Sequence, residues 1–170
     1  MPEKPLVGIV MGSDTDLPVM TAAAQTLKEF GIPFELEITS AHRSPGRTSV
    51  YGRTAVQRGL KVIIVGAGGA AHLAGVLASE TILPVVGVPM ATTSLAGFDA
   101  LLATVQMPAG VPVACTAIGK PGAINAAIFA AQIIATSDPG TAQRLVEHKE
   151  QLARSVAEKS EKLKREFQVE

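Results

Sequence analysis

Short runs of apolar, mostly β-branched residues recur along the chain, each followed by a turn and then by apolar positions at helical spacing. Leu6 to Met11, Phe34 to Thr39, Val62 to Val65, Pro84 to Val88 and Val111 to Ala117 read as five strands. The first, third and fourth are nearly continuous apolar runs, the pattern of parallel strands covered on both faces. Helical segments fall between them: Leu17 to Phe30, Pro45 to Arg58, Leu73 to Thr81 and Asp99 to Val105. Gly31 and Gly59 stand where a left-handed residue would end the preceding helix. Strand, helix, strand repeated four times predicts an α/β fold: a parallel five-stranded sheet in a three-layer α/β/α sandwich with right-handed crossovers.

Two more helices close the chain. Gly122 to Thr136 is rich in Ala and Ile and carries no charge, which predicts burial nearly all round. Asp138-Pro139 then supplies an N-cap and a favoured first helical residue. From there to Phe167, apolar residues recur at Ala142, Leu145, Leu152, Val156 and Leu163. A helix of roughly 28 residues is about 42 Å long, comparable with the diameter of a domain of this size, about 40 Å. Its end is expected either to project beyond its own domain and lie on a neighbour or, after about Ala153, to fray as a solvated tail. The chain reads as one domain over residues 1–170, with a core over about 5–136 and this C-terminal helix over about 138–167.

Charge changes the picture through its distribution. The net charge is zero and the pI about 6.8, which excludes a basic footprint for nucleic acid or an anionic membrane. Residues 62–137 carry only Glu80, Asp99 and Lys120, whereas thirteen charged residues lie from Arg144 to Glu170. So charge-poor a centre would leave large apolar patches on a monomer, and these are rare in soluble proteins. A homo-oligomer that covers them is the expectation. One cysteine, Cys115, excludes a disulfide framework and a multi-thiolate metal site. With no uncharged apolar run of about 18 residues and no secretory signal, a soluble cytoplasmic protein is expected.

In open α/β sheets, ligands bind at the carboxyl ends of the strands, where strand order reverses. Three strand ends here carry unusual turns. The first is Met11-Gly12-Ser13-Asp14-Thr15-Asp16, in which Ser13 and the following amides form an anion site at a helix N-terminus. Asp16 is assigned to ribose hydroxyls or to capping. The second is Ser40-Ala41-His42-Arg43-Ser44-Pro45, where Arg43 can fork onto a phosphate. His42 stands there at a strand end, beside a hydroxyl and a guanidinium, as a candidate proton shuttle. The third is Gly66-Ala67-Gly68-Gly69-Ala70-Ala71-His72-Leu73, whose small residues leave backbone amides exposed around a cavity. His72 either faces that cavity or caps the next helix.

Other chemistries lack parts. Three imidazoles (His42, His72 and His148) with no clustered acids make no metal centre, and no phosphate-loop or nucleophile-elbow motif occurs. The third turn formally fits a dinucleotide fingerprint, but it follows the third strand and no acid ends the next one. Cys115, in an apolar strand, reads as packing, and His148, in the charged terminal helix, as solvated.

Together the three turns resemble the PurE family, the purine-biosynthesis mutases that interconvert two carboxylated forms of aminoimidazole ribonucleotide. The likeness is carried by Met11-Gly12-Ser13 with Asp16, by Ser40 to Arg43, and by Gly66 to Leu73. Gly87-Val88-Pro89 and Val105-Gln106-Met107-Pro108 add to it. Leu17, Ala74 and Ala109 depart from the family's usual Trp, Pro and Gly. The resemblance implies a flavodoxin-like sandwich assembled as an octamer, with active sites at subunit contacts. It implies that Ser13, Asp16 and Arg43 hold the ribose phosphate portion of a small-molecule ribonucleotide. It makes His42 the general acid and base, with Ser40, Gly68, Ala70, His72 and Leu73 lining the pocket, and needs no metal or organic cofactor. A sister class carboxylates aminoimidazole ribonucleotide directly with carbon dioxide; the Gly68 to Leu73 turn is similar to that of the mutases. A non-catalytic ribonucleotide-binding module and a dinucleotide-dependent oxidoreductase stay open as alternatives.

Overall fold

The computed structural model describes residues 4–168. Five parallel strands are β1 (Val7–Met11), β2 (Phe34–Ile38), β3 (Val62–Gly68), β4 (Val85–Met90) and β5 (Ala114–Cys115). They lie in the order β2-β1-β3-β4-β5. The helices are α1 (Leu17–Glu29), α2 (Pro45–Arg58), α3 (Leu73–Glu80), α4 (Phe98–Val105), α5 (Lys120–Ala135) and α6 (Pro139–Phe167).

The sheet is apolar on both faces because alternate residues of the same strand serve different layers. Val7, Ile9 and Met11 join Val62, Ile64, Val86 and Val88 under α1 and α5. Val10, Ile63, Val65 and Val85 face the other way, under α2, α3 and α4. The three-layer α/β/α sandwich follows from this two-sided burial.

Helix ends follow the signals in the chain. Pro45 opens α2, and Gly59 closes it at φ +98°, a conformation that costs a residue with a Cβ. Gly31 does the same after α1 at φ +63°. Asp138 caps α6, its Oδ2 accepting from the Thr141 amide at 2.9 Å.

Three expectations need correction. The fifth strand pairs only over Ala114–Cys115 instead of Val111 to Ala117. It is an edge strand, and Pro112 has no amide hydrogen to give to a ladder. Helix α5 is buried along one face rather than all round. Ala123, Ala126, Ala127, Ala130 and Ala131 are fully covered, while Phe129 stays 41% exposed on the opposite side. Alanines let α5 approach α1 and the sheet closely; Ile134 is buried with them, Ile128 and Ile133 are partly covered, and Phe129 is left outside. His148 is half-buried rather than solvated, its ring edge-on to Phe30 with centroids 5.3 Å apart.

Much apolar surface is open. On α4 and the loop before it, Leu95, Phe98, Leu102 and Val105 are all more than half exposed, and so are Leu152, Val156, Leu163 and Phe167 on α6. Helix α6 has 29 residues and is about 44 Å long. Beyond Glu150 it shows its apolar residues to solvent within the single chain.

The packing of α5 makes a stability prediction. Ala127→Leu forces a larger side chain into a fully covered site and lowers unfolding free energy by about 1–3 kcal/mol in a denaturant titration. Asn125→Ala, on the exposed face of the same helix, stays within about 0.5 kcal/mol.

Candidate active site

Strand order reverses between β1 and β3, so the loops leaving their carboxyl ends diverge and open a crevice. Register sets the crevice walls level. Met11 pairs with both Ile38 and Gly66, and the backbone continues the link, Gly12 donating to the Gly66 carbonyl at 3.2 Å. The result is a cleft of about 310 Å³.

The β1 loop starts at Ser13, whose extended backbone (φ −153°, ψ 155°) turns the chain into a single 3-10 turn over Asp14–Asp16. Ser13 Oγ accepts from the Thr15 amide at 3.3 Å and from Thr15 Oγ1 at 3.0 Å. Asp16 occupies the N-cap position of α1 but makes no side-chain cap bond, which removes capping as its role. It is only 4% exposed. Burial pushes its carboxyl above the usual carboxylate range, with the Ser13 backbone amide opposing and Asp14 adding to the shift.

The β2 loop is held by a hydroxyl cluster. Thr39, buried, bonds Thr48 Oγ1 at 2.8 Å and Ser44 Oγ at 3.2 Å. Ser44 Oγ accepts from the Ser40 amide at 2.9 Å, and Ser40 Oγ from the Arg43 amide at 3.1 Å. So fixed, the loop sends Arg43 across to β1, where Nη2 donates to the Gly12 carbonyl at 3.0 Å. It sends His42 toward β3.

The β3 loop needs its small residues. A Cβ on Gly66 would meet Met20 Sδ and Met90 Cε at 2.7 Å, and Gly69 turns at φ +59°. Tight bonds follow, Ala71 amide to Gly69 carbonyl at 2.9 Å and His72 amide to Ala70 carbonyl at 2.8 Å. Ala71, Leu73 and Ala74 anchor the segment in the core. His72 makes no cap bond to α3. Its Nδ1 instead meets His42 Nε2 at 2.9 Å, the rings 80° apart with centroids 5.0 Å. One nitrogen of that pair donates and the other accepts, so the contact fixes complementary tautomers.

Every residue assigned to the site from the sequence lines this one cleft: Ser13, Asp16, Ser40, His42, Arg43, Gly68, Ala70, His72 and Leu73. Thr92 lines it too and was missed. Its signal was a polar Thr-Thr-Ser following an apolar strand, hence another turn on the same edge. Among the described residues there is no group of three or more His, Cys, Asp or Glu side chains placed to hold a metal. Cys115 is half-buried, and burial pushes its thiol up, away from nucleophilic use.

Sheet order and cleft together define a doubly wound α/β protein with a polar, histidine-bearing site at its switch point. The chain belongs to the AIR carboxylase family, whose pattern it matches over residues 6–155. It is 52% identical over 161 residues to the N5-carboxyaminoimidazole ribonucleotide mutase of Pyrococcus horikoshii, covering 95% of this chain and 90% of that one. It is 56% identical over 135 residues to the phosphoribosylaminoimidazole carboxylase of Saccharomyces cerevisiae, covering 79% of this chain and 23% of that one. The crystal structure of Treponema denticola PurE superposes with a TM-score of 0.81 at 29% identity, over 94% of this chain and 99% of that one. No described helix is long and apolar enough to cross a membrane.

The buried Asp16 carboxyl makes stability depend on pH. A carboxyl whose folded pKa is raised above its unfolded value holds its proton longer when folded, so its ionisation weakens the fold as pH rises. Asp16→Asn therefore raises the melting midpoint by a few degrees at pH 7. The gain shrinks to nothing as pH falls below the ordinary carboxylate range, about pH 4. Differential scanning calorimetry across that range reads the effect.

Proposed function

We propose that this chain is an isomerase of purine biosynthesis that converts N5-carboxyaminoimidazole ribonucleotide to 4-carboxy-5-aminoimidazole ribonucleotide. The observation that carries the reading is the contact of His42 with His72 inside a cleft whose other walls are an anion-binding turn and a glycine-rich turn. Arg43 and Ser13 bind the ribose phosphate as a charge-assisted pair of donors, and Asp16 accepts from ribose hydroxyls. Ser40, Gly68, Ala70, His72 and Leu73 enclose the heterocycle and its carboxylate.

The substrate carries its carboxylate on the exocyclic nitrogen. His42 delivers a proton to that nitrogen, the N–C bond breaks, and carbon dioxide and the neutral amine form. The ring carbon then attacks the trapped carbon dioxide, and the same imidazole takes the proton that this carbon loses. Protons and electrons balance over the cycle, so the residues alone suffice without metal or organic cofactor. The narrow Gly68–Ala70 wall keeps the carbon dioxide beside the ring, where proximity favours recapture.

A direct carboxylase that takes aminoimidazole ribonucleotide and free carbon dioxide is the second reading, favoured by the name of the yeast relative. The assembly belongs to the same proposal. Open apolar surface on α4 and α6, the charge-poor centre and the unsupported end of α6 are covered in a homo-oligomer, an octamer in which α6 packs on neighbouring subunits. Residues 1–170 then act as one domain of a cytoplasmic enzyme.

His42→Asn keeps affinity for 4-carboxy-5-aminoimidazole ribonucleotide within a few-fold and lowers turnover by about 10²–10⁴, the contribution of a positioned acid–base group. A variant with near-normal turnover removes His42 from the reaction. Spectrophotometric conversion of N5-carboxyaminoimidazole ribonucleotide without added bicarbonate supports the mutase. Strict bicarbonate dependence with aminoimidazole ribonucleotide supports the carboxylase, and nucleotide binding with no conversion by either route supports a binding module.

A further inference from the structure

The cleft has a cationic end and a neutral end. Arg43 is the one Arg or Lys among its lining residues and stands with Ser13 on the β1–β2 side. Across the sheet, beyond β3, the wall is Thr92 in the loop that leaves β4. A nucleotide whose phosphate meets Arg43 must extend its heterocycle toward the glycine turn and this threonine.

Thr92 is held there by its neighbours. Its side chain lies where a Cβ of Gly68 would sit, with Thr92 Cβ and Cγ2 each 3.0 Å from that point and Oγ1 nearer still. Only glycine at position 68 leaves room for it. One residue on, Thr93 Oγ1 donates to Asp99 Oδ2 at 2.7 Å and accepts from the Leu95 amide at 3.2 Å, tying the loop to the first turn of α4. That donation holds the Asp99 carboxyl below the usual range. Ala96 and Gly97 then turn the chain at φ +51° and φ +87°, and Gly97 packs its backbone against Ala91. Thr93 is therefore occupied in fastening the loop. Thr92 Oγ1, by contrast, has no hydrogen-bond partner among the described residues, although it borders the cleft.

We propose that Thr92 is a further substrate-binding residue, whose hydroxyl hydrogen-bonds the amine- or carboxylate-bearing heterocycle at the end of the cleft remote from the phosphate. The inference rests on the nucleotide reading of the site given above. A hydroxyl offers one donor and two acceptor positions, so it serves either substituent. Gly68 then has a second role beyond narrowing the pocket, since its missing side chain admits the Thr92 hydroxyl to the wall. A threonine that merely fills space would be replaced without loss by valine, which has the same shape and no hydroxyl.

Isothermal titration calorimetry with two ligands, 4-carboxy-5-aminoimidazole ribonucleotide and ribose 5-phosphate, separates these roles. Thr92→Val is expected to weaken the carboxylated nucleotide about 3- to 10-fold, the effect of one lost hydrogen bond. Ribose 5-phosphate binding stays within about 2-fold, the melting midpoint does not move, and Thr92→Ser binds both ligands as the wild type does. A valine variant that binds the carboxylated nucleotide normally, or that loses both ligands equally, overturns the proposal. Wild-type protein that fails to bind the carboxylated nucleotide overturns the functional reading itself, and this inference with it.

Discussion

The backbone ladder from β1 to its two neighbours is the constraint on which the site depends. Met11 is paired on one side with Ile38 and on the other with Gly66, so three strands finish level at one edge. Beyond that level the chain leaves β1 and β2 on one side and β3 and β4 on the other, and the loops cannot close over the gap. A slip of one residue in any of these parallel pairs would turn the apolar strand faces over. The two faces differ in bulk and cannot exchange: Gly8 and Gly66 leave no room for a Cβ beside Tyr51 and Met20, whereas Ile9 and Val65 next to them fill the core. Core packing thereby fixes where His42 and His72 meet.

That meeting has local supports that differ in kind. The β2 loop is positioned by hydroxyls, Thr39, Thr48, Ser40 and Ser44, which bond one another and the backbone. The β3 loop is positioned by the absence of side chains, since Gly66 and Gly68 lie against Met20, Met90 and Thr92 with no space for a Cβ. The β1 loop places a buried carboxyl, Asp16, at the floor of the cleft at some expense to stability. Binding sites are where such local conflicts are expected in an otherwise consistent fold.

Much of this was legible in the chain. Pro45 and Gly59 bound α2 at the residues expected, because proline and glycine constrain the backbone directly. The continuous apolar runs identified the buried strands, and the polar turns identified the edge that carries the site. Where the reading fell short, the missing information lay in three dimensions. β3 continues through Ala67 to Gly68, past its last bulky residue, because its neighbour β4 supplies partners as far as Met90. β5 shrinks to two residues because it borders β4 alone and Pro112, within the expected run, has no amide hydrogen for the ladder. Beyond Lys120, α5 carries no charge, yet only the face that bears its alanines meets α1 and the sheet, a division that composition alone does not display. Asp16 and His72 each had a capping alternative in the sequence, and only the direction of the side chains decided against it. Thr92 reaches the cleft because Gly68 on β3 leaves room for its side chain, a fit between loops that are distant in the chain.

In the proposed function, loops distant in sequence converge to hold one nucleotide, phosphate at Arg43 and Ser13 and heterocycle at His42. A crystal structure of the protein with 4-carboxy-5-aminoimidazole ribonucleotide tests it most directly. The phosphate is expected within hydrogen-bond distance of Arg43 and Ser13, and a ring nitrogen of His42 within reach of the heterocycle. A nucleotide bound elsewhere, or bound in the cleft with its phosphate against Thr92 and its heterocycle away from His42, contradicts it.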